Sequence, residues 1–156
     1  MAEMEKSISV DVPLHEAYKQ WTQFEEFPRF MEGVLEVRQL DDKRLHWKAK
    51  IGGAEREWDA EIVDQTPDQR IAWKSVSGAE NGGAVLFRPL PDGRTEITLR
   101  MRYNPEGLTE TVGDSLGFVG RRVQGDLERF AQFMEDRGRA TGGWQGEIHG
   151  QAVRRG

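Results

Sequence analysis

The chain has no cysteine at all. Disulfides, thiolate zinc sites and cysteine nucleophiles are therefore excluded. No apolar run approaches the ~20 residues needed to cross a bilayer, and no signal-peptide pattern opens the chain. A cytoplasmic location is the expectation. Histidine is scarce, with His15 on a short helical stretch, His46 outward on a strand and His149 in the tail. No two of them share a spacing suited to a metal, and no Ser-His-Asp grouping is suggested. There is neither a phosphate-cradling Walker loop nor a dinucleotide fingerprint, so no metal and no cofactor is expected. Lysine and arginine, 22 together, are outnumbered by 27 acidic residues, giving a net charge of −5. A general phosphate-binding surface, and with it a nucleic-acid partner, is not expected.

What is present is a chain of 156 residues, enough for one domain with a real core. Five tryptophans and seven phenylalanines are a large aromatic supply for this size. The longest periodic stretch runs from Thr111 to Arg137. Val112, Leu116, Val119, Val123, Leu127, Phe130 and Met134 follow at steps of three or four, which predicts a helix with one buried stripe. Thr111 followed by Asp114 is a usable capping signal, and Gly138 is a natural stop. At ~1.5 Å per residue this helix runs roughly 40 Å, so the preceding residues must supply the surface it lies on.

Met4, Lys6, Ile8 and Val10 predict a first strand, ended at Val12-Pro13. Leu14, Ala17, Tyr18, Trp21 and Phe24 then repeat at helical spacing. A second short helical piece, Phe24 to Met31, is bent at Pro28. From Val34 the period changes to two. Strands are predicted through Leu35 and Val37; Leu45, Trp47, Ala49 and Ile51; Trp58, Ala60 and Ile62; Ile71 and Trp73; Val85 and Phe87; and Ile97 to Tyr103. Turns fall at Asp41-Asp42-Lys43, Gly52-Gly53, Thr66-Pro67-Asp68, a glycine-rich loop from Gly78 to Gly83, and Pro91-Asp92-Gly93. The reading is an α+β fold, β-α-α-β-β-β-β-β-β-α, with a curved antiparallel sheet of about seven strands wrapped around the C-terminal helix. Residues 1–138 are expected to form the domain. Residues 139–156, glycine-rich and aperiodic, are expected to be a flexible tail, in which Trp144 and Ile148 are the residues able to fold back onto the domain or a second copy.

Two segments, Trp21-x-x-Phe24-x-x-Phe27-Pro28-Arg29-Phe30-Met31 and Arg122-Val123-x-x-Asp126-Leu127-x-x-Phe130, complete a resemblance. With the order of elements they resemble the START-like (SRPBCC) superfamily of helix-grip folds. Within it the match is to the polyketide cyclase/dehydrase and lipid-transport group, which includes coenzyme Q-binding proteins. The resemblance covers about residues 3 to 137. It implies an apolar ligand held between sheet and long helix. The matching motifs are packing motifs, and no catalytic signature of the family's enzymes is matched residue by residue.

Trp47, Trp58 and Trp73 occupy inward positions on three consecutive strands, continued by Phe87 and Met101. Such aromatics either fill an ordinary core or form the wall of a cavity facing Val119 and Val123. Arg56 and Ser75 share their inward parity. Arg56 is either a strand-end arginine in water or the polar anchor of a ligand carbonyl or carboxylate. Phe27, Phe30, Met31 and Phe118 are candidates for an entrance, with a dimer contact the alternative for Phe118. Gly113, Gly117, Gly120 and Gly125 loosen the long helix. Glu55, Glu57, Asp59 and Glu61 form an outward acidic row with Lys48, Lys50 and Lys74 as cross-strand partners.

The expected function is binding or carriage of a hydrophobic small molecule such as a lipid, quinone or polyketide-like compound. The alternatives are an enzyme of the polyketide cyclase/aromatase kind using the same cavity, and a protein-interaction module. No catalytic residue is assigned, because no histidine, cysteine or carboxylate falls at an inward position of the central strands. A homodimer is compatible with the sequence.

Overall fold

A computed structural model describes residues 1–106 and 113–155. Strand β1 (Ala2–Val10) alternates exposed and half-buried residues, as its sequence dictates. Helix α1 (Leu14–Trp21) starts after Pro13, whose ring suits a helix entry. A 3₁₀ segment, Phe24–Arg29, follows with Pro28 inside it. Proline has no N–H to continue an α ladder, which explains the expected bend. Then come β2 (Val34–Gln39), β3 (Arg44–Ile51), β4 (Ala54–Thr66), β5 (Arg70–Gly78), β6 (Asn81–Pro89) and β7 (Thr95–Tyr103). The long helix α2 (Ser115–Arg137) and two short strands, β8 (Glu147–His149) and β9 (Ala152–Arg154), complete the chain.

The main sheet runs β1-β7-β6-β5-β4-β3-β2, all pairs antiparallel. β1 closes it against β7 in unbroken register from Ala2↔Tyr103 to Val10↔Thr95. The buried Thr95 hydroxyl donates to the Val12 carbonyl at 2.8 Å, fixing the exit from β1. Gly52 and Gly53 take φ of 60° and 88°, the geometry a two-residue hairpin between β3 and β4 needs.

The described strands number nine, not seven. β8 pairs with β4 through Asp64↔His149 and Gln65↔Ile148, and β9 pairs with β8. β3 covers β4 only as far as Glu61, so the rest of that edge would offer unpaired backbone groups. The hairpin covers part of it. Within the segment expected as a flexible tail, this hairpin packs on the domain, with Ile148 fully buried and Trp144 against the core. The Ala140 N–H donates to Glu16 and the Thr141 N–H to Gln20, at 3.0 and 2.8 Å.

Helix α2 begins later than the periodicity suggests. Asp114 is its N-cap, accepting from the Gly117 N–H at 3.0 Å, and Gly138 closes it at φ 76°. Thr111 and Val112 lie outside the described residues. Leu116 is a correction: it is 48% exposed, because the buried stripe starts only at Val119, where the helix meets the sheet. The glycine-rich loop is a second correction. β5 ends at Gly78 and β6 starts at Asn81, so Gly82 and Gly83 are strand residues. A Cβ at Gly83 would lie 2.9 Å from Trp73 Cη2 and collide with the Arg100 carbonyl, so glycine there is what admits the indole.

On the outer face, Lys48, Lys50 and Lys74 stand opposite Glu57, Glu55 and Glu61 as the alternation requires. The ion pairs recorded for the acidic row come instead from Lys43 and Arg44 to Glu61, and from His46 to Glu57 and Asp59. Two carboxylate partners hold the His46 pKa above its usual value.

Candidate functional site: a half-hollow interior

The interior divides into a packed end and an open end. At the packed end the Trp21 ring meets Phe130 at 5.0 Å and Tyr18 meets Phe87 edge-on at 5.4 Å between centroids. Phe30 joins Phe130 at 5.1 Å and Phe133 at 5.4 Å. These are offset and edge-to-face contacts with little space between them. Phe87 and Phe30 belong here. Neither lines a cavity, contrary to their expected places in the wall and at the entrance, because α1 and the 3₁₀ segment descend onto them. Ser75 is also away from the cavity, its hydroxyl accepting from the Asn81 N–H at 3.0 Å to shape the β5–β6 turn.

Beyond Trp21 and Phe27 the space opens into a cavity of about 450 Å³ between the sheet and α2. Trp47, Arg56, Trp58, Trp73 and Met101 line it from the strands, and Val119 and Val123 from the helix. Phe27, Met31 and Phe118 also border it. The wall includes Ala49 and Ala60 at inward positions of β3 and β4. Side chains that small cannot fill the gap under a helix, which is why the hollow persists. The indoles of Trp47 and Trp58, directly opposite in register, stack at 5.6 Å and 10°.

Polar groups are few in this wall. The Trp73 N–H donates to Asn81 at 2.9 Å and is satisfied. Four others are not. Trp47 Nε1, Arg56 Nε, Trp58 Nε1 and the Tyr103 hydroxyl are buried without a hydrogen-bond partner among the described residues. All four residues border the cavity, whereas the other two such atoms, on Ser9 and Gln65, do not. A buried polar group left unmatched costs about 1–3 kcal/mol, so four around one cavity, three of them on adjoining strands β3 and β4, are a sizeable deficit.

At one side of the cavity, α2 is clasped to the segment after the 3₁₀ turn. Asp126 accepts from the Glu32 N–H at 3.0 Å, Arg122 donates to the Glu32 carbonyl at 3.1 Å, and Arg129 donates to the Phe30 carbonyl at 3.0 Å. Gly33, at φ 91°, leaves room for the Arg122 guanidinium. Burial pushes the Asp126 carboxyl up to about 6, against the opposing hydrogen bond from Arg129. In the sequence Arg122 and Asp126 belong only to a packing motif, and Tyr103 is not among the expected site residues. The signals available were an acid three residues before an arginine on α2, and Tyr103 sharing Met101's parity.

An antiparallel sheet gripping one long C-terminal helix, with a mainly apolar hollow between them, defines a helix-grip fold. Residues 10–132 match the family described as polyketide cyclase / dehydrase and lipid transport, and the chain belongs to that family. A 17.2 kDa protein of Streptomyces lincolnensis is 51% identical over 149 residues, covering 95% of this chain and 99% of that one. Among solved structures, an aromatase/cyclase from Streptomyces sp. R1128 superposes with a TM-score of 0.72 at 16% identity, covering 91% of this chain and 98% of that one. A START superfamily protein from Mycobacterium smegmatis gives a TM-score of 0.63 at 13% identity, covering 81% and 97%. At those identities the two structures speak for the fold alone. No helix among the described residues is long and apolar enough to cross a membrane.

Proposed function

We propose that the protein binds and carries a hydrophobic small molecule in the cavity between its sheet and α2. The observation that carries this reading is the hollow itself, about 450 Å³ walled by three tryptophans and the apolar stripe of the helix. Apolar burial supplies the affinity, at roughly 25 cal/mol per Å² removed from water, and Arg56 is the polar anchor. Trp47, Trp58, Trp73, Met101, Val119 and Val123 are the contact residues, with Phe27, Met31 and Phe118 at the entrance. Gentle purification, organic extraction and mass spectrometry test this. A stoichiometric apolar compound is expected, and a preparation that yields none and binds no apolar probe contradicts it.

Asp126 favours a second reading, an enzyme of the cyclase/aromatase kind. Its carboxyl borders the cavity and burial raises its pKa to about 6, which suits a proton-transfer group. On this reading Asp126→Asn keeps ligand binding and abolishes turnover. Equal turnover of a cyclisable polyketide analogue by both forms removes it.

A further inference from the structure

An apolar cavity that only carried a hydrocarbon would have no use for unmatched donors, yet this one concentrates them. Two are indole N–H groups, which can only donate, and a third belongs to a guanidinium, which is always charged and can only donate. The fourth, the Tyr103 hydroxyl, donates or accepts.

Arg56 is half-buried and makes no hydrogen bond or ion pair to a described residue. Its partner across the hairpin is Ala49, which offers nothing polar. Trp58 stands two residues further along the same face of β4, and Trp47 faces Trp58. Three of the four donors therefore lie on one patch of the β3–β4 wall.

None of the remaining charged groups around the cavity forms an ion pair with Arg56 among the described residues. Glu32, Glu80 and Glu106 lie in the connecting segments and are exposed, as is Lys50. Asp126 is engaged by Arg129 and the Glu32 N–H, and Arg122 by the Glu32 carbonyl. What the deep wall lacks is one acceptor carrying negative charge.

Resting on the carrier reading above, we propose that the cavity holds its ligand as an anion. A phenolate, enolate or carboxylate oxygen sits at Arg56, within the field of the Trp47 and Trp58 N–H groups. The ligand is thus an apolar, ionisable oxygen acid. Where it arrives protonated, its O–H bond breaks on binding and the proton leaves to solvent.

The inference has a sign that burial alone cannot give. Moving a phenol from water into an apolar pocket disfavours its charged form and raises its pKa. A cation with convergent donors does the reverse.

The test is a pH titration of the visible absorption of alizarin, a hydroxyanthraquinone whose spectrum reports loss of its phenolic proton. The dye is measured free and bound to the full chain, with anthraquinone, which has no ionisable proton, as the reference ligand. The bound pKa is expected at least about one pH unit below the free one, a tenfold preference for the anion. Arg56→Gln is expected to bring it to or above the free value. The Trp47→Phe/Trp58→Phe pair keeps the rings and removes both N–H groups, and it is expected to move the value the same way by less. If Arg56→Gln fails to fold, that pair carries the test. A bound pKa at or above the free one in the unmodified protein overturns the inference while leaving the carrier reading standing. So does a lowered value that neither variant changes. If neither dye binds, the carrier reading fails and this inference falls with it.

Discussion

The indoles of Trp47 and Trp58 face each other across the β3–β4 ladder at 5.6 Å and 10°, and both N–H groups are buried without a described partner. Two large side chains have been stacked as a flat wall rather than interdigitated with α2. Their contribution to folding is therefore smaller than their size suggests. Trp58→Ala removes contacts to one stacked ring and an already open space. It is expected to cost no more than about 2 kcal/mol, against about 3–5 kcal/mol for Phe130→Ala in the packed end. Urea denaturation of both variants checks the difference.

Asp126 gives a pH dependence with a defined sign. Burial raises its carboxyl pKa to about 6 in the folded protein, from the ordinary aspartate value of 3.8 in the unfolded chain. Between those values the folded state binds more protons than the unfolded chain, so stability rises as pH falls from about 6 toward 4. Above pH 6 the full penalty of a buried charge is present. Asp126→Asn removes the titration and keeps an oxygen for the Glu32 N–H. Its stability relative to the unmodified protein is expected to be greater at pH 7 than at pH 4.5, and a difference that does not vary with pH contradicts the assignment.

Gly83 is expected to tolerate no side chain. Its missing Cβ is what lets Trp73 lie flat beside β6, 2.9 Å from where that atom would be. Gly83→Ala must shift both the Arg100 carbonyl and the indole, at a cost of about 1–3 kcal/mol or more. A change below about 0.5 kcal/mol in the midpoint-derived stability would show that the space exists.

We propose that the C-terminal hairpin is part of the domain. Ile148 is completely buried under it, beside Gln65. Ile148→Ala is expected to cost about 2 kcal/mol or more and to speed amide exchange at Asp64 and Gln65. Unchanged exchange there would mean that the hairpin contributes nothing to β4.

Much of this was legible because it is written in short-range patterns. The alternation of Ile97, Leu99, Met101 and Tyr103 gives β7, and Gly52-Gly53 marks a two-residue hairpin. Other features are written at long range. The hairpin of β8 and β9 has three residues per strand, too few to show a period, and exists because β4 outruns β3. Gly82 and Gly83 look like loop residues until Trp73 is placed above them. The clasp from Arg122, Asp126 and Arg129 joins α2 to residues ninety or more positions earlier. The spacing of Asp126 and Arg129 is local, but nothing local shows that this acid is buried. The same holds for Phe87: its inward parity was right, but parity cannot say that Tyr18 and Trp21 would fill the space above it.

The claim on which the rest depends is that the sheet and α2 enclose an apolar hollow. Diffraction from a crystal pressurised with xenon measures that directly, because the gas settles in apolar cavities and leaves filled cores empty. Xenon density is expected between the Trp47–Trp58 wall and Val123 and Leu127, and none around Phe130. Continuous side-chain packing across that space with no xenon in it would contradict the account.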